Sequence, residues 1–305
     1  MLGVIDTLAE HYLKGKSQAL KLAMTTLLSG GHLLVEDIPG LGKTTLALGL
    51  AGALGLSFGR IQCTSDLLPS DITGLSIFDR EQNQFRFVKG PVFNNLVLAD
   101  EINRSMPKTQ SALLEAMEER RVTVEGVTYP LPDPFMVIAT QNPVEQVGTY
   151  PLPESQLDRF MITSGIGYPP EAMEKVIIQT GSIRDGIRDI KPLVSRDQLL
   201  EARRQAAENV CLSTRIVDYI YRLCVATRSH ELLLVGVSTR GAISLAEASK
   251  AHAFLTGRDY VLPEDVKHLF PAVCAHRTIA RNELQSIDRK EILQSLLDSI
   301  PVPLD

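Results

Sequence analysis

Seven consecutive residues, Ile38-Pro39-Gly40-Leu41-Gly42-Lys43-Thr44, carry the side-chain types that hold a phosphate. Lys43 supplies a point cation for β- and γ-phosphates, and the Thr44 hydroxyl suits Mg²⁺. Two elements must position them. Residues 33–35, Leu-Leu-Val, read as a short buried strand, and residues 44–56, rich in Ala, Leu and Gly, read as a helix leaving the turn. A strand, a glycine-rich turn and a helix N-terminus aim unpaired amides and the positive end of the helix at one point. Nucleotide contacts are therefore expected from Pro39, Gly40, Leu41, Gly42, Lys43, Thr44 and Thr45. The phosphate-loop pattern asks for glycine five residues before Gly42, where Asp37 stands. Either Asp37 takes up the required backbone angles, which Asp tolerates better than most residues, or the turn begins differently. A plain strand-to-helix turn is the competing reading. Gly-x-Gly-Lys-[Ser/Thr] arises by chance in roughly one chain of this length in a hundred, and that favours the nucleotide.

The second group of chemistry-bearing residues is acidic. Residues 95–99 are an apolar run ending in Asp100-Glu101. A strand that delivers two acids at its carboxyl end places them at the ligand edge of an open α/β sheet. Asp100 would hold a Mg²⁺-bound water, completing a metal site with Thr44, and Glu101 would orient or deprotonate the attacking water. Residues 135–139 form a further buried strand, followed by Thr140-Gln141-Asn142-Pro143. The Asn142 amide at that strand end can read a γ-phosphate or place a water; alone, it is more often a turn residue.

The remaining elements follow from periodicity and breakers. Helices are expected over 2–10 and 17–28, joined by a bend at Gly15-Lys16. A strand is expected over 58–64, then a loop over 66–74 with strong turn chemistry. Strands over 75–78 and 85–88 make a projecting hairpin, and 122–124 and 127–129 flank the tight turn Glu125-Gly126. Pro107 sits in the first turn of a helix whose buried stripe is Leu113, Leu114 and Met117. Leu157-Asp158-Arg159-Phe160 precedes a last strand over 161–166, and Tyr168-Pro169-Pro170 marks a domain boundary. Beyond it the pattern is all helical: 171–179, a helix through 207 capped by Ser195 with Gln198, 216–227, 240–255 ending at Gly257, 264–270 and 288–297.

Composition narrows the class. The 305 residues suit two domains of ordinary size, and 44% hydrophobic with 22% charged residues is the balance of a soluble globular protein. A net charge of −5, no Trp and 5% aromatic residues argue against a nucleic-acid surface. Cys63, Cys211, Cys224 and Cys274 have neither metal spacing nor a pairing pattern and read as reduced thiols. No export signal and no apolar run long enough to cross a bilayer is evident, so a cytoplasmic protein is expected.

Taken in order, the phosphate loop, the acid pair, the asparagine, the arginine and a helical lid resemble the AAA+ ATPases, and most closely the MoxR family. The stretches that carry the resemblance are His32-Leu33-Leu34-Val35-Glu36-Asp37-Ile38-Pro39-Gly40-Leu41-Gly42-Lys43-Thr44, Leu98-Ala99-Asp100-Glu101-Ile102-Asn103-Arg104, Gly148-Thr149-Tyr150-Pro151-Leu152-Pro153-Glu154-Ser155-Gln156-Leu157-Asp158-Arg159-Phe160 and Gly257-Arg258-Asp259-Tyr260-Val261. The resemblance implies a P-loop NTPase of the α/β class, a parallel sheet flanked by helices over residues 1–168, followed by an all-α lid domain over 169–305. It makes Lys43 and Thr44 the Walker A residues and Asp100 and Glu101 the Walker B pair. Asn142 becomes sensor 1, Arg159 the arginine finger and Arg240 sensor 2, with the cis or trans action of Arg240 left open. The hairpin at about 72–91 becomes the helix-2 insert. Two departures stand out: Gly15-Lys16 where the family usually has Gly-Gln, and Ser238-Thr239-Arg240-Gly241 where it usually has Ser-Pro-Arg-Ala.

The function so implied is Mg-dependent ATP hydrolysis by a hexameric ring with ATP and Mg²⁺ as cofactors. Its output would be chaperone-like remodelling or activation of protein partners with von Willebrand factor A domains. The alternatives are a magnesium-chelatase-like motor subunit, which shares the helix-2 insert, a nucleic-acid-associated AAA+ motor, disfavoured by the acidic balance, and a nucleotide-switched scaffold, disfavoured by the presence of Glu101 and Arg159.

Overall fold

A computed structural model describes every residue except 146, 182–183, 188, 282–287 and 304–305. Two helices come first, α1 (Leu2–His11) and α2 (Ser17–Leu28), joined through Gly15, whose φ of +76° is one that glycine adopts without strain. Then follow β1 (Leu33–Glu36), α3 (Lys43–Ala53), β2 (Phe58–Gln62), the short α4 (Pro69–Thr73), and the hairpin β3 (Gly74–Asp79) and β4 (Gln84–Lys89). Next come β5 (Leu96–Asp100), α5 (Pro107–Glu119), a second hairpin of β6 (Arg121–Val124) and β7 (Val127–Pro130), β8 (Met136–Gln141), α6 (Glu154–Leu157) and β9 (Ile162–Ser164).

The central sheet is parallel, in the order β2-β5-β8-β1-β9. The interior strand β5 is a short continuous apolar run, and Leu96, Val97, Leu98 and Ala99 are all fully buried, as a strand covered on both faces requires. Because all five strands point the same way, the turn after β1 and the ends of β5 and β8 share one edge. At the opposite edge, His32 is clamped just before β1: its Nδ1 accepts from the Val137 amide (2.9 Å) and its Nε2 donates to the Met117 carbonyl (3.1 Å). Burial, with help from the Arg120 charge, pushes the His32 pKa down to about 3, so the ring is neutral and structural.

The later part of the chain contains α7 (Glu171–Thr180), α8 (Arg184–Ile187), α9 (Arg196–Glu208), α10 (Thr214–Ser229), β10 (Leu233–Val235), α11 (Thr239–Leu255), α12 (Pro263–Cys274), β11 (Ile279–Ala280) and α13 (Arg289–Ser299). Arg277, almost fully buried, docks this part onto the sheet domain. Its Nε donates to Asp158 Oδ1 (2.7 Å), and its Nη2 and Nη1 donate to the carbonyls of Phe160 (2.8 Å) and Met161 (3.1 Å). Helix α2 packs against α9 and α11 as well, so one apolar cluster runs from Val4 to Leu297.

Three local expectations need correction. Residues 66–74 are not all loop: Pro69 and Asp71 occupy the first turn of α4, where the Asp71 carboxylate accepts from the Leu68 amide (2.8 Å), so the same polar types serve as helix starters. The lid is not purely helical, since β10 and β11 pair antiparallel. Helix α12 does not stop at Phe270; it runs through Pro271 to Cys274, and burial of Val273 and Cys274 offsets the lost backbone hydrogen bond.

The stretch Gly257-Arg258-Asp259-Tyr260-Val261 proves to be a structural clamp. Arg258 donates from Nη1 and Nη2 to both carboxylate oxygens of the buried Asp265 (2.7 and 2.6 Å), and His252 Nδ1 lies 2.7 Å from Oδ1. Burial alone would raise the Asp265 pKa, but these hydrogen bonds outweigh it and hold the group at about 2. A carboxyl held below its ordinary 3.8 stabilises the fold fully above about pH 4 and loses that contribution as pH falls toward 2. Denaturant titrations at pH 5, 3 and 2 are therefore expected to show a steep acid loss that is absent from Asp265→Asn.

Candidate nucleotide-binding site

The turn after β1 is built by two glycines in the left-handed region, Gly40 (φ +91°) and Gly42 (φ +98°), the second of which is the N-cap of α3. A side chain at either would strain the backbone that turns the loop amides inward. Asp37 is not among the residues with positive φ, so it does not replace the missing glycine conformationally. It acts through its side chain: Oδ1 accepts from its neighbour's amide, Ile38 (2.9 Å), and Oδ2 accepts from the amides of Ile166 (2.8 Å) and Gly167 (2.7 Å).

Lys43 Nζ donates to the Asp37 carbonyl and to the Gln141 carbonyl (3.4 Å), which places it between the carboxyl ends of β1 and β8. Burial lowers its pKa, and the nearby charges of Asp37, Asp100 and Glu101 partly oppose that shift. The ammonium therefore sits in the field of both acids expected to face it.

Asp100 ends β5, and Glu101 follows it in the left-handed region (φ +57°), an unusual conformation for this residue type that redirects its amide and side chain. The fully buried Thr140 explains how the turn is held. Its hydroxyl donates to Asp100 Oδ1 (2.7 Å) and accepts from the Glu101 amide (2.8 Å). On β2, Arg60 donates to Asp100 Oδ2 (2.8 Å) and Gln62 Nε2 donates to Glu101 Oε2 (3.3 Å). Arg104 donates to the same Glu101 oxygen (3.2 Å). Three supporting residues escaped the sequence reading. Arg60 and Gln62 stand two apart on one strand, and period-two spacing was the available signal. Thr140 follows the apolar run of β8 directly and carried no signal of its own.

Asn142 lies just beyond β8, where its Oδ1 accepts from the Val144 amide (3.1 Å) as in a simple Asx turn. The adjacent Gln141 is tied into the strand ends through Nε2 to Glu36 Oε1 (2.6 Å). Mg²⁺ on a triphosphate needs only one or two protein oxygens, and the Thr44 hydroxyl with the Asp100 carboxylate matches that donor set. A cavity of about 780 Å³ opens beside the loop, walled by Tyr12, Leu13, Lys16, Ile38, Tyr168 and Ile177. Lys16, almost fully buried, donates to the Gly167 carbonyl; burial lowers its pKa while Asp37 and Glu174 oppose the shift.

Arg159 and Arg240 are elsewhere. Arg159 Nε pairs with Glu118 Oε2 (3.0 Å), and Arg240 Nη2 donates to Glu118 Oε1 (2.8 Å) with Asp158 at 3.8 Å. Glu118 lies in the last turn of α5 next to Met117, whose carbonyl is held at the amino end of β1. Lys43 is at the carboxyl end. Four residues of strand at about 3.3 Å each put on the order of 13 Å between the two edges. Both arginines thus come together with each other, not with the phosphate loop of their own chain.

Comparison with known proteins bears on this arrangement. Residues 32–162 match the family described as "ATPase family associated with various cellular activities (AAA)", and residues 225–296 match the AAA lid domain. Over 292 residues the chain is 44% identical to the uncharacterised protein YeaC of Bacillus subtilis, covering 95% of this chain and 91% of that one. It is 38% identical over 301 residues to Chaperone MoxR1 of Mycobacterium tuberculosis, covering 95% of this chain and 79% of the relative. A crystal structure from Cytophaga hutchinsonii, given a provisional ATPase description, superposes with a TM-score of 0.89 at 40% identity and covers 99% of this chain and 94% of its own.

Thr140→Val removes a buried hydroxyl and leaves the Glu101 amide without its acceptor. The expected cost is about 1–3 kcal/mol in chemical denaturation, with Thr140→Ser close to the unaltered protein; equal stability of the Val variant would contradict the role given to the hydroxyl.

Proposed function

This chain belongs to the MoxR family of AAA+ ATPases, and on that premise we propose that it hydrolyses Mg·ATP in a head-to-tail ring whose sites are each completed by a neighbour's Arg159 and Arg240. In this reading the amides from Pro39 to Thr45 and the Lys43 ammonium hold the β- and γ-phosphates. Thr44 and Asp100 would hold Mg²⁺, which would supply neutralisation of developing phosphate charge. Glu101 orients and accepts a proton from the attacking water, and Asn142 bonds the γ-phosphate or that water.

The observation that carries the proposal is the separation of parts. The loop, Lys43 and the acid pair occupy one edge of the sheet, while Arg159 and Arg240 lie paired with Glu118 at the other. Arginines on one edge, away from the phosphate loop of their own chain, fit a heterologous contact, which repeats head to tail and closes into a ring when its rotation allows. An arginine supplied in this way is worth roughly 10³–10⁵ in rate in GTPases. Family resemblance supports six members and clients with von Willebrand factor A domains. We take the cytoplasm as the compartment, in keeping with four free cysteines. Among the described residues no helix is long and apolar enough to cross a membrane.

Mixing two inactive variants tests the shared site. Lys43→Ala retains both arginines but lacks a working loop, and Arg159→Ala retains the loop but lacks the finger. Each alone is expected to be inactive, and their mixture to regain a measurable fraction of steady-state ATPase activity; a mixture as inactive as its parts counts against a site shared between subunits. Glu101→Gln is expected to keep ATP bound while turnover falls by at least about a hundredfold, read by nucleotide retention on a desalting column.

A further inference from the structure

Residues 165–170 connect β9 to α7, and they form a strap held from both sides. From the loop side, Asp37 Oδ2 accepts the amides of Ile166 (2.8 Å) and Gly167 (2.7 Å). From the opposite side, Lys16 donates to the carbonyl of the same Gly167. The packing leaves no slack: a Cβ on Gly165 would come within 3.3 Å of Asp37 Oδ2, and one on Gly15 would run into the Pro170 ring. The strap then supplies Tyr168 and Pro169 to the 780 Å³ cavity and leads into α7, which adds Glu174, Ile177 and Ile178 to the same wall. Asp37 is also bound into the loop through its own backbone, since its amide donates to Gln141 (3.2 Å) and its carbonyl accepts from Lys43. One residue thus joins the phosphate side of the cavity to its apolar far wall.

We propose that Asp37, with Lys16, is a positioning residue that fixes the strap as the wall against which the nucleotide base binds. The inference rests on the nucleotide reading above and extends it to the base side. It also accounts for an acid at the position where the phosphate-loop pattern has glycine. The carboxylate does not turn the backbone; it accepts the amides of Ile166 and Gly167, which it supplies with an acceptor.

The test separates base from phosphate. For Asp37→Asn, Asp37→Gly, Lys16→Met and Lys16→Gln, dissociation constants for fluorescent ATP and ADP analogues are measured together with KM, kcat and the melting temperature of the nucleotide-free protein. Inhibition by tripolyphosphate, which has no base, is measured alongside. Asp37→Asn and Lys16→Met are expected to weaken ATP and ADP by about tenfold and to raise KM more than they lower kcat. Tripolyphosphate inhibition is expected to change by less than about twofold. Lys16→Gln, which keeps a donor for Gly167, is expected to recover most of what Lys16→Met loses. Asp37→Gly, which restores the glycine of the pattern, is expected to bind more weakly, not more tightly; should it fail to fold, the Asn and Met variants carry the test. Unchanged affinity in both of those variants overturns the proposal, as does an equal loss for tripolyphosphate, or a fall in affinity, kcat and melting temperature together. Unaltered protein that binds no nucleotide at all would overturn the nucleotide reading instead.

Discussion

Backbone groups that leave the end of a parallel sheet lose their ladder partners, and this chain meets that demand at one edge with its chemistry-bearing residues. The Asp37 amide donates to Gln141, the Cys63 amide donates to Asp100, and the Glu101 amide finds the Thr140 hydroxyl. Unpaired, each such group would cost about 1–3 kcal/mol. Paired, they align β1, β5 and β8 so that the loop amides, Lys43 and the two acids converge. The candidate phosphate site is the place where the strand-end bonds run out.

Charge is divided between the two edges for the same reason. At the carboxyl edge Lys43, Arg60 and Arg104 face Asp100 and Glu101, so the acids are held by cations and amides. At the amino edge Glu118 and Asp158 hold Arg159, Arg240 and Arg277. Arg277 is spent on docking the lid, and its partner Asp158 precedes Arg159 directly, so the lid and Arg159 share one support. The face that presents the arginines is therefore set by where the lid sits.

The linker between the two parts is not a passive tether. It is fastened by the Asp37 carboxylate and the Lys16 ammonium, and it carries Tyr168 into the cavity beside the loop. Both residues are departures from the usual patterns at their positions, and both have their side chains engaged on the same residue, Gly167.

Much of this was legible in the chain itself. Ser17–Leu28 and the helix capped by Ser195 and Gln198 follow from local periodicity and capping, which are short-range effects. The phosphate loop and the Asp-Glu pair could be read because each depends on residues adjacent in sequence, a glycine turn in one case and a strand end in the other. The helix inside residues 69–73 and the pairing of Leu233–Val235 with Ile279–Ala280 could not, since turn and helix-start residues share one alphabet and a three-residue strand has too few positions to show a period. What only the tertiary structure decided is which side chains meet across long separations: Thr140 with Asp100, Asp37 with Gly167, and Glu118 with both Arg159 and Arg240. Local pattern specifies elements because their hydrogen bonds are local. The partners of a buried or half-buried charge are chosen by which strand ends and helix ends the packing brings to one edge, and no stretch of sequence carries that information alone.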